Sequence, residues 1–188
     1  LNCIKQAEVT DLDREEHKKP ASLSPGKQLL ADTLFAIMRQ QALQQGISPE
    51  TIGNKAYFLG QKHLLCYSKG KISSIESETS FHTMHQLNGK LYVRERNTGL
   101  LQLKDEKLQL VEGGDQVQGA IHGMIATKEG VMLVSFKYGL FNWDGKSIQP
   151  ISTPDSTELK ESYLLGANRI GPNRIALESS LYGVLVID

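Results

Sequence analysis

One pattern, returning along residues 88–188, constrains this chain more than any other feature. Asn88-Gly89-Lys90-Leu91-Tyr92-Val93 leads to Thr98-Gly99-Leu100-Leu101-Gln102-Leu103. Glu129-Gly130-Val131-Met132-Leu133-Val134 leads to Tyr138-Gly139-Leu140-Phe141-Asn142-Trp143-Asp144-Gly145. Asn173-Arg174-Ile175-Ala176-Leu177 leads to Tyr182-Gly183-Val184-Leu185-Val186-Ile187-Asp188. A weaker earlier copy runs Asn54-Lys55-Ala56-Tyr57-Phe58, then Leu64-Leu65-Cys66-Tyr67-Ser68-Lys69-Gly70-Lys71. Leu91/Val93, Met132/Val134 and Ile175/Leu177 alternate as one buried face of a strand, and Leu101/Leu103, Phe141/Trp143 and Leu185/Ile187 do so for the next. A glycine between the two strands permits a positive φ or a close backbone approach. Lys-Asp-Glu-Lys (104–107) and Asp-Gly-Lys (144–146) are the turns that follow.

The marker glycines Gly99, Gly139 and Gly183 lie 40 and 44 residues apart, the size of one four-stranded propeller blade. A blade cannot bury both faces alone, so blades stack around an axis, and closed rings typically hold 4–8 of them. The spacing therefore predicts a mainly β fold: a partial β-propeller of three to four blades of about 40 residues each, preceded by one amphipathic α-helix. Three full copies and a partial one fall short of a ring, so the repeats over 47–188 are expected to be truncated at the C-terminus. An open blade edge there predicts self-association.

The chain ahead of the repeats is different in kind. Residues 1–22 are polar and of alternating charge, a lead-in that favours solvation over packing. In the helical segment, 23–46, Ser24-Pro25 has the form of an N-cap followed by a first-turn proline. Leu30, Leu34, Ile37 and Met38 then recur at helical spacing, and Gly46 is a stop, giving a helix over about 25–45. Lys+Arg and Asp+Glu both total 21, so the net charge is zero, which argues against a general polyanion binder. Nowhere do apolar residues run long enough to span a membrane. Two cysteines, Cys3 and Cys66, make neither a disulfide framework nor a zinc spacing.

The run Gly-x-[Leu/Met]-x-Val, then Gly-Leu-x-x-[Leu/Trp]-Asp-Gly-Lys, seen best over Gly130 to Lys146, resembles the two-component-regulator type of propeller repeat. The resemblance covers about residues 50–188. It implies the ligand-sensing part of a bacterial sensor kinase or related regulator, placed in the periplasm or otherwise outside the cytoplasm. Arg94-Glu95-Arg96 and Ser135-Phe136-Lys137 depart from the family's usual strand end, and Trp143 is the one tryptophan. A second stretch, Leu29 to Asn54, ending in Gln45-Gly46-Ile47-Ser48-Pro49-Glu50-Thr51-Ile52, resembles the entry of a helicase/RNase D C-terminal domain, which would imply nucleic-acid contact. The helix, however, carries only Lys27 and Arg39 as basic residues.

Candidate chemistry is sparse. His82 and His85 are three apart, so on a strand their rings take opposite faces and cannot share an ion. No metal site and no cofactor are expected, and no nucleophile constellation appears. The doublet Gly113-Gly114 lacks the Lys-Ser/Thr of a phosphate loop. Asp105, Asp144 and Asp188 occupy matching repeat positions, which marks them as turn formers. Because the first strand of a blade lines the central channel, His85, His122 and Tyr163 are candidate ligand contacts. Arg94 and Arg96 share one strand face and form a candidate clamp for a carboxylate or phosphate. Lys137 and Tyr138 lie at the matching loop of the next repeat, where binding surfaces gather. The sequence thus predicts a non-enzymatic recognition module that binds a small molecule, glycan or protein partner at its blade loops. A nucleic-acid accessory role through the N-terminal helix is the alternative.

Overall fold

The structure, a computed structural model, describes residues 50–117, 119–153 and 156–187. The lead-in and the helix expected over 25–45 lie outside the described residues, as do Cys3 and Asp188.

The described chain is a partial β-propeller of four antiparallel sheets, each a meander of consecutive strands. Blade 1 holds β1 (Glu50–Ile52), β2 (Lys55–Leu59), β3 (His63–Ser68) and β4 (Lys71–Glu76). Blade 2 holds β5 (Phe81–Leu87), β6 (Lys90–Glu95), β7 (Gly99–Lys104) and β8 (Lys107–Leu110). Blade 3 holds β9 (Ile121–Ala126), β10 (Val131–Ser135), β11 (Gly139–Trp143) and β12 (Ile148–Pro150). Blade 4 holds β13 (Leu164–Arg169), β14 (Ile175–Ser179) and β15 (Gly183–Ile187). The first strands β1, β5, β9 and β13 pack one against the next, which places them at the inner side.

The marker glycines open the third strand of each repeat. Gly99 adopts φ +127°, and a Cβ there would lie 2.3 Å from the Gly114 carbonyl oxygen. Only glycine admits that approach. The two-residue turns Lys69-Gly70, Asn88-Gly89 and Asp105-Glu106 have positive φ at both positions, the twist that suits a tight hairpin. Asp144 is the turn former expected of it: its Oδ1 accepts from the Lys146 and Ser147 amides at 2.8 and 2.7 Å.

In blades 2 and 3 alternate side chains face the two neighbouring blades, and three apolar seams result among the four described blades. Tyr57 and Leu64 meet Phe81, Leu91 and Val93 between blades 1 and 2. Tyr92 and Leu100 meet Ile121, Met124, Leu133, Trp143 and Ile148 between blades 2 and 3. Met132, Val134 and Leu140 meet Leu164, Ile175 and Leu177 between blades 3 and 4. A fully buried side chain of this kind contributes about 1.5–3 kcal/mol relative to exposure, so the seams are the main cohesion of the repeat.

One element was not expected from the sequence. Ser156–Glu161 forms a short helix, α1, between blades 3 and 4. It sets Leu159 into the last seam, and Ser162 Oγ donates to the Leu159 carbonyl at its end. A helix this brief carries too few apolar positions to show a period.

Candidate functional site

The first strand of blades 2, 3 and 4 begins with the same irregularity. Phe81 and Thr83 pair with Glu95 and Arg94, leaving His82 as an extra residue. Ile121 and Gly123 pair with Ser135 and Val134, leaving His122. Leu164 and Gly166 pair with Ser179 and Glu178, leaving Leu165. A bulge re-aims the extra side chain out of the ladder. Here it delivers two imidazoles to the end of the propeller that also carries the β6–β7 and β10–β11 loops.

A row of side chains forms there. Arg96 Nε donates to His82 Nε2 at 3.2 Å, which leaves the imidazole proton on Nδ1. That Nδ1 and Thr83 Oγ1 are buried with no hydrogen-bond partner. One blade on, the His122 ring stacks on Phe136 at 5.2 Å, and Phe136 meets Tyr163 at 5.3 Å. Lys137 Nζ sits 5.6 Å from the Tyr163 ring centre, within cation–π range. Backbone bonds hold the row: the Phe136 amide donates to Ala120 O and the Leu164 amide to Phe136 O, both at 3.1 Å.

Burial pushes the His82 imidazole below its ordinary pKa, with Arg94, Arg96 and His122 adding repulsion. Burial also lowers His122, opposed by a hydrogen bond with the Leu165 backbone. Both rings are therefore neutral at neutral pH, so the fixed cations of the row are Arg96 and Lys137.

His122, Lys137, Tyr163 and Arg96 thus come together on one rim. Tyr138 stands beside them, exposed, its ring over the backbone of Gly119. His85 goes elsewhere. Its Nε2 bonds the Ile121 carbonyl at 2.7 Å, and burial lowers its pKa, as expected of a packed seam residue.

Arg94 and Arg96 do not share a face. Strand β6 ends at Glu95, and Arg96 turns out into solvent. Arg94 is buried between blades 2 and 3 and donates to the carbonyls of Glu95, Val117, Gly99 and Gly119, the last three at 3.0, 3.2 and 3.0 Å. A guanidinium so engaged has no free fork for an anion, so the expected two-arginine clamp is not formed. Glu95 beside it accepts from Ser77 Oγ, also buried. In blade 4 Ser179, at the position of Glu95, donates to Ser162 O at 3.0 Å. In blades 2 and 4 this polar staple ties the second strand to the segment entering its blade.

Sequence reasoning missed His82 and Phe136 as rim residues. Their signal was the repeat itself, since His82 matches His122 and Phe136 matches Arg96 once the bulge is counted. Among the described residues no group of three His, Cys, Asp or Glu can hold a metal ion, and no helix is long and apolar enough to cross a membrane.

No family model matches the chain, and no curated protein matches it. Solved structures do. The computationally designed Ika4 protein aligns with TM-score 0.54 at 10% identity, over 74% of this chain and 88% of that one. YCF48 bound to D1 peptide aligns with TM-score 0.49 at 16% identity, over 74% of this chain and 48% of that one. The N-terminal domain of Nup159 aligns with TM-score 0.46 at 11% identity, over 69% and 37%. YCF48 and the Nup159 domain are β-propeller-like proteins, and this chain spans less than half the length of either. At these identities the likeness is one of fold alone.

Proposed function

We propose that this chain is a non-enzymatic recognition module that binds a protein partner at the rim formed by Arg96, His82, His122, Phe136, Tyr163 and Lys137. The observation that carries this reading is the contiguous His122–Phe136–Tyr163 ring series, stacked in its first pair and tilted in its second, with a cation at its end. Aromatic and cationic groups of this kind anchor protein interfaces because they join large contact area to directed polar bonds. Loops at one end of a rigid scaffold are where such surfaces gather. The repeat resemblance extends the proposal: the module is the sensory part of a bacterial signalling receptor and transmits partner binding to other domains.

A display selection of random peptides against the full chain, followed by amide shift mapping of the best binder, tests the rim. Shifts are expected at residues 96, 122, 136–138 and 163. Shifts confined to β15 or to the opposite turns at 69–70, 88–89 and 105–106 overturn the assignment, as does a selection that yields no binder.

A further inference from the structure

We infer that the partner presented to this rim is an acidic peptide, with carboxylates flanking an apolar side chain. The inference rests on the recognition reading above and deepens it. Arg96 and Lys137 are both exposed, and neither forms an ion pair with any described residue. Arg96 spends only its Nε, on His82, so the two Nη groups face solvent as an unoccupied fork suited to a carboxylate. Lys137 is held at the other end by its place against Tyr163. Between the two cations lie the half-buried His122 and Phe136 and the exposed Tyr163, an apolar series with no formal charge.

The acidic side chains closest in sequence do not neutralise the row. Glu95 is buried on Ser77, and the exposed Glu78, in the segment beside Arg96, and Glu161, at the end of α1, form no ion pair with any described residue. Arg96 and Lys137 thus bracket the apolar patch as two cations with no ion partner among the described residues. Cations so placed favour a partner that brings carboxylates. Contacts join Arg96 to His82 at one end and His122 through Phe136 and Tyr163 to Lys137 at the other, and His122 is near enough to His82 to repel its protonated form. That order matches an extended peptide bearing a carboxylate, an apolar side chain and a second carboxylate.

The test is fluorescence anisotropy on the full chain with four labelled probes: a short peptide of alternating glutamate and phenylalanine, its glutamine counterpart, its lysine counterpart, and an oligothymidylate. The acidic peptide is expected to bind about tenfold or more tightly than the glutamine peptide, a difference of about 1.4 kcal/mol, and the difference is expected to close with added salt. Arg96→Gln with Lys137→Gln should abolish it at an unchanged melting temperature, while Lys107→Gln on β8 should leave it intact. Equal binding of the glutamine peptide, with shifts still at the rim, overturns the acidic partner and leaves the recognition reading standing. Tighter binding of the oligothymidylate overturns the inference in favour of nucleic acid. Binding by none of the four overturns it too, and the display selection then decides whether the rim binds anything.

Discussion

The rings of Tyr92 and Trp143 meet edge to face across the seam between blades 2 and 3, their centres 5.7 Å apart and their planes at 80°. Trp143 also donates its indole proton to the Glu112 carbonyl at 3.0 Å. The chain's one tryptophan therefore fastens two blades through both of its characters, apolar face and polar edge. Trp143→Ala is expected to cost about 3–5 kcal/mol, read as a lowered denaturant midpoint. Trp143→Phe should cost less, since it keeps most of the packing. A loss below about 1 kcal/mol for the alanine variant would mean that the seam does not hold the repeat together.

Arg94 should behave as a structural residue. Arg94→Met removes the donors of four backbone carbonyls in a buried seam, and each orphaned acceptor costs about 1–3 kcal/mol. We expect at least about 3 kcal/mol of destabilisation in sum, with peptide affinity at the rim unchanged under conditions where the variant is folded. Full stability with lost binding would return Arg94 to the list of ligand contacts.

Stability should fall as the solution is acidified. His82, His85 and His122 all titrate below the ordinary imidazole value in the folded chain. The unfolded chain therefore binds more protons between those lowered values and about pH 6.5. Their contribution is complete above that pH and is lost as pH falls through the folded pKa values. Glu50, raised by burial, acts with the opposite sign: its contribution is present in acid and lost as pH rises through its own raised value. Denaturant midpoints at about pH 7.5 and about pH 5.5 give the comparison. A midpoint that is flat or rises on acidification contradicts the histidine placement.

The outer face of blade 4 predicts self-association. Val184 and Val186, on one face of β15, are 65% and 55% exposed. Sedimentation of the full chain should show a mass that grows with concentration, and Val184→Lys with Val186→Lys should hold it at the monomer. A constant mass across concentration counts against this.

The repeat frame was legible because its signals are local. Gly99, Gly139 and Gly183 were marked by spacing, and each has a positive φ. The turns at 104–107 and 144–146 were legible from their residue types, and Asp105-Glu106 and Asp144 form them. Helix α1 escaped because its six residues (Ser156–Glu161) include one buried apolar position, Leu159. The rim was half legible. His122, Lys137 and Tyr163 stood at loop or inner-strand positions, but simple alternation takes no account of the extra residue at His82. Alternation likewise put Arg94 and Arg96 on one face, because nothing in the residues showed that β6 stops at Glu95.

The sequence by itself determined the strands, their hairpins and the repeat, since backbone sterics and two-residue alternation act over a few neighbours. The tertiary structure alone decided which faces are covered. Leu100, Leu140 and Val184 hold the same place after the marker glycine, yet they are 0%, 4% and 65% exposed. The physical reason is that burial belongs to the next blade and not to the residue: Leu100 is covered by blade 3 and Leu140 by blade 4, while no described strand lies over Val184. The same distinction applies at the rim, where His122, Phe136 and Tyr163 come from three separate segments and meet only once the blades have stacked.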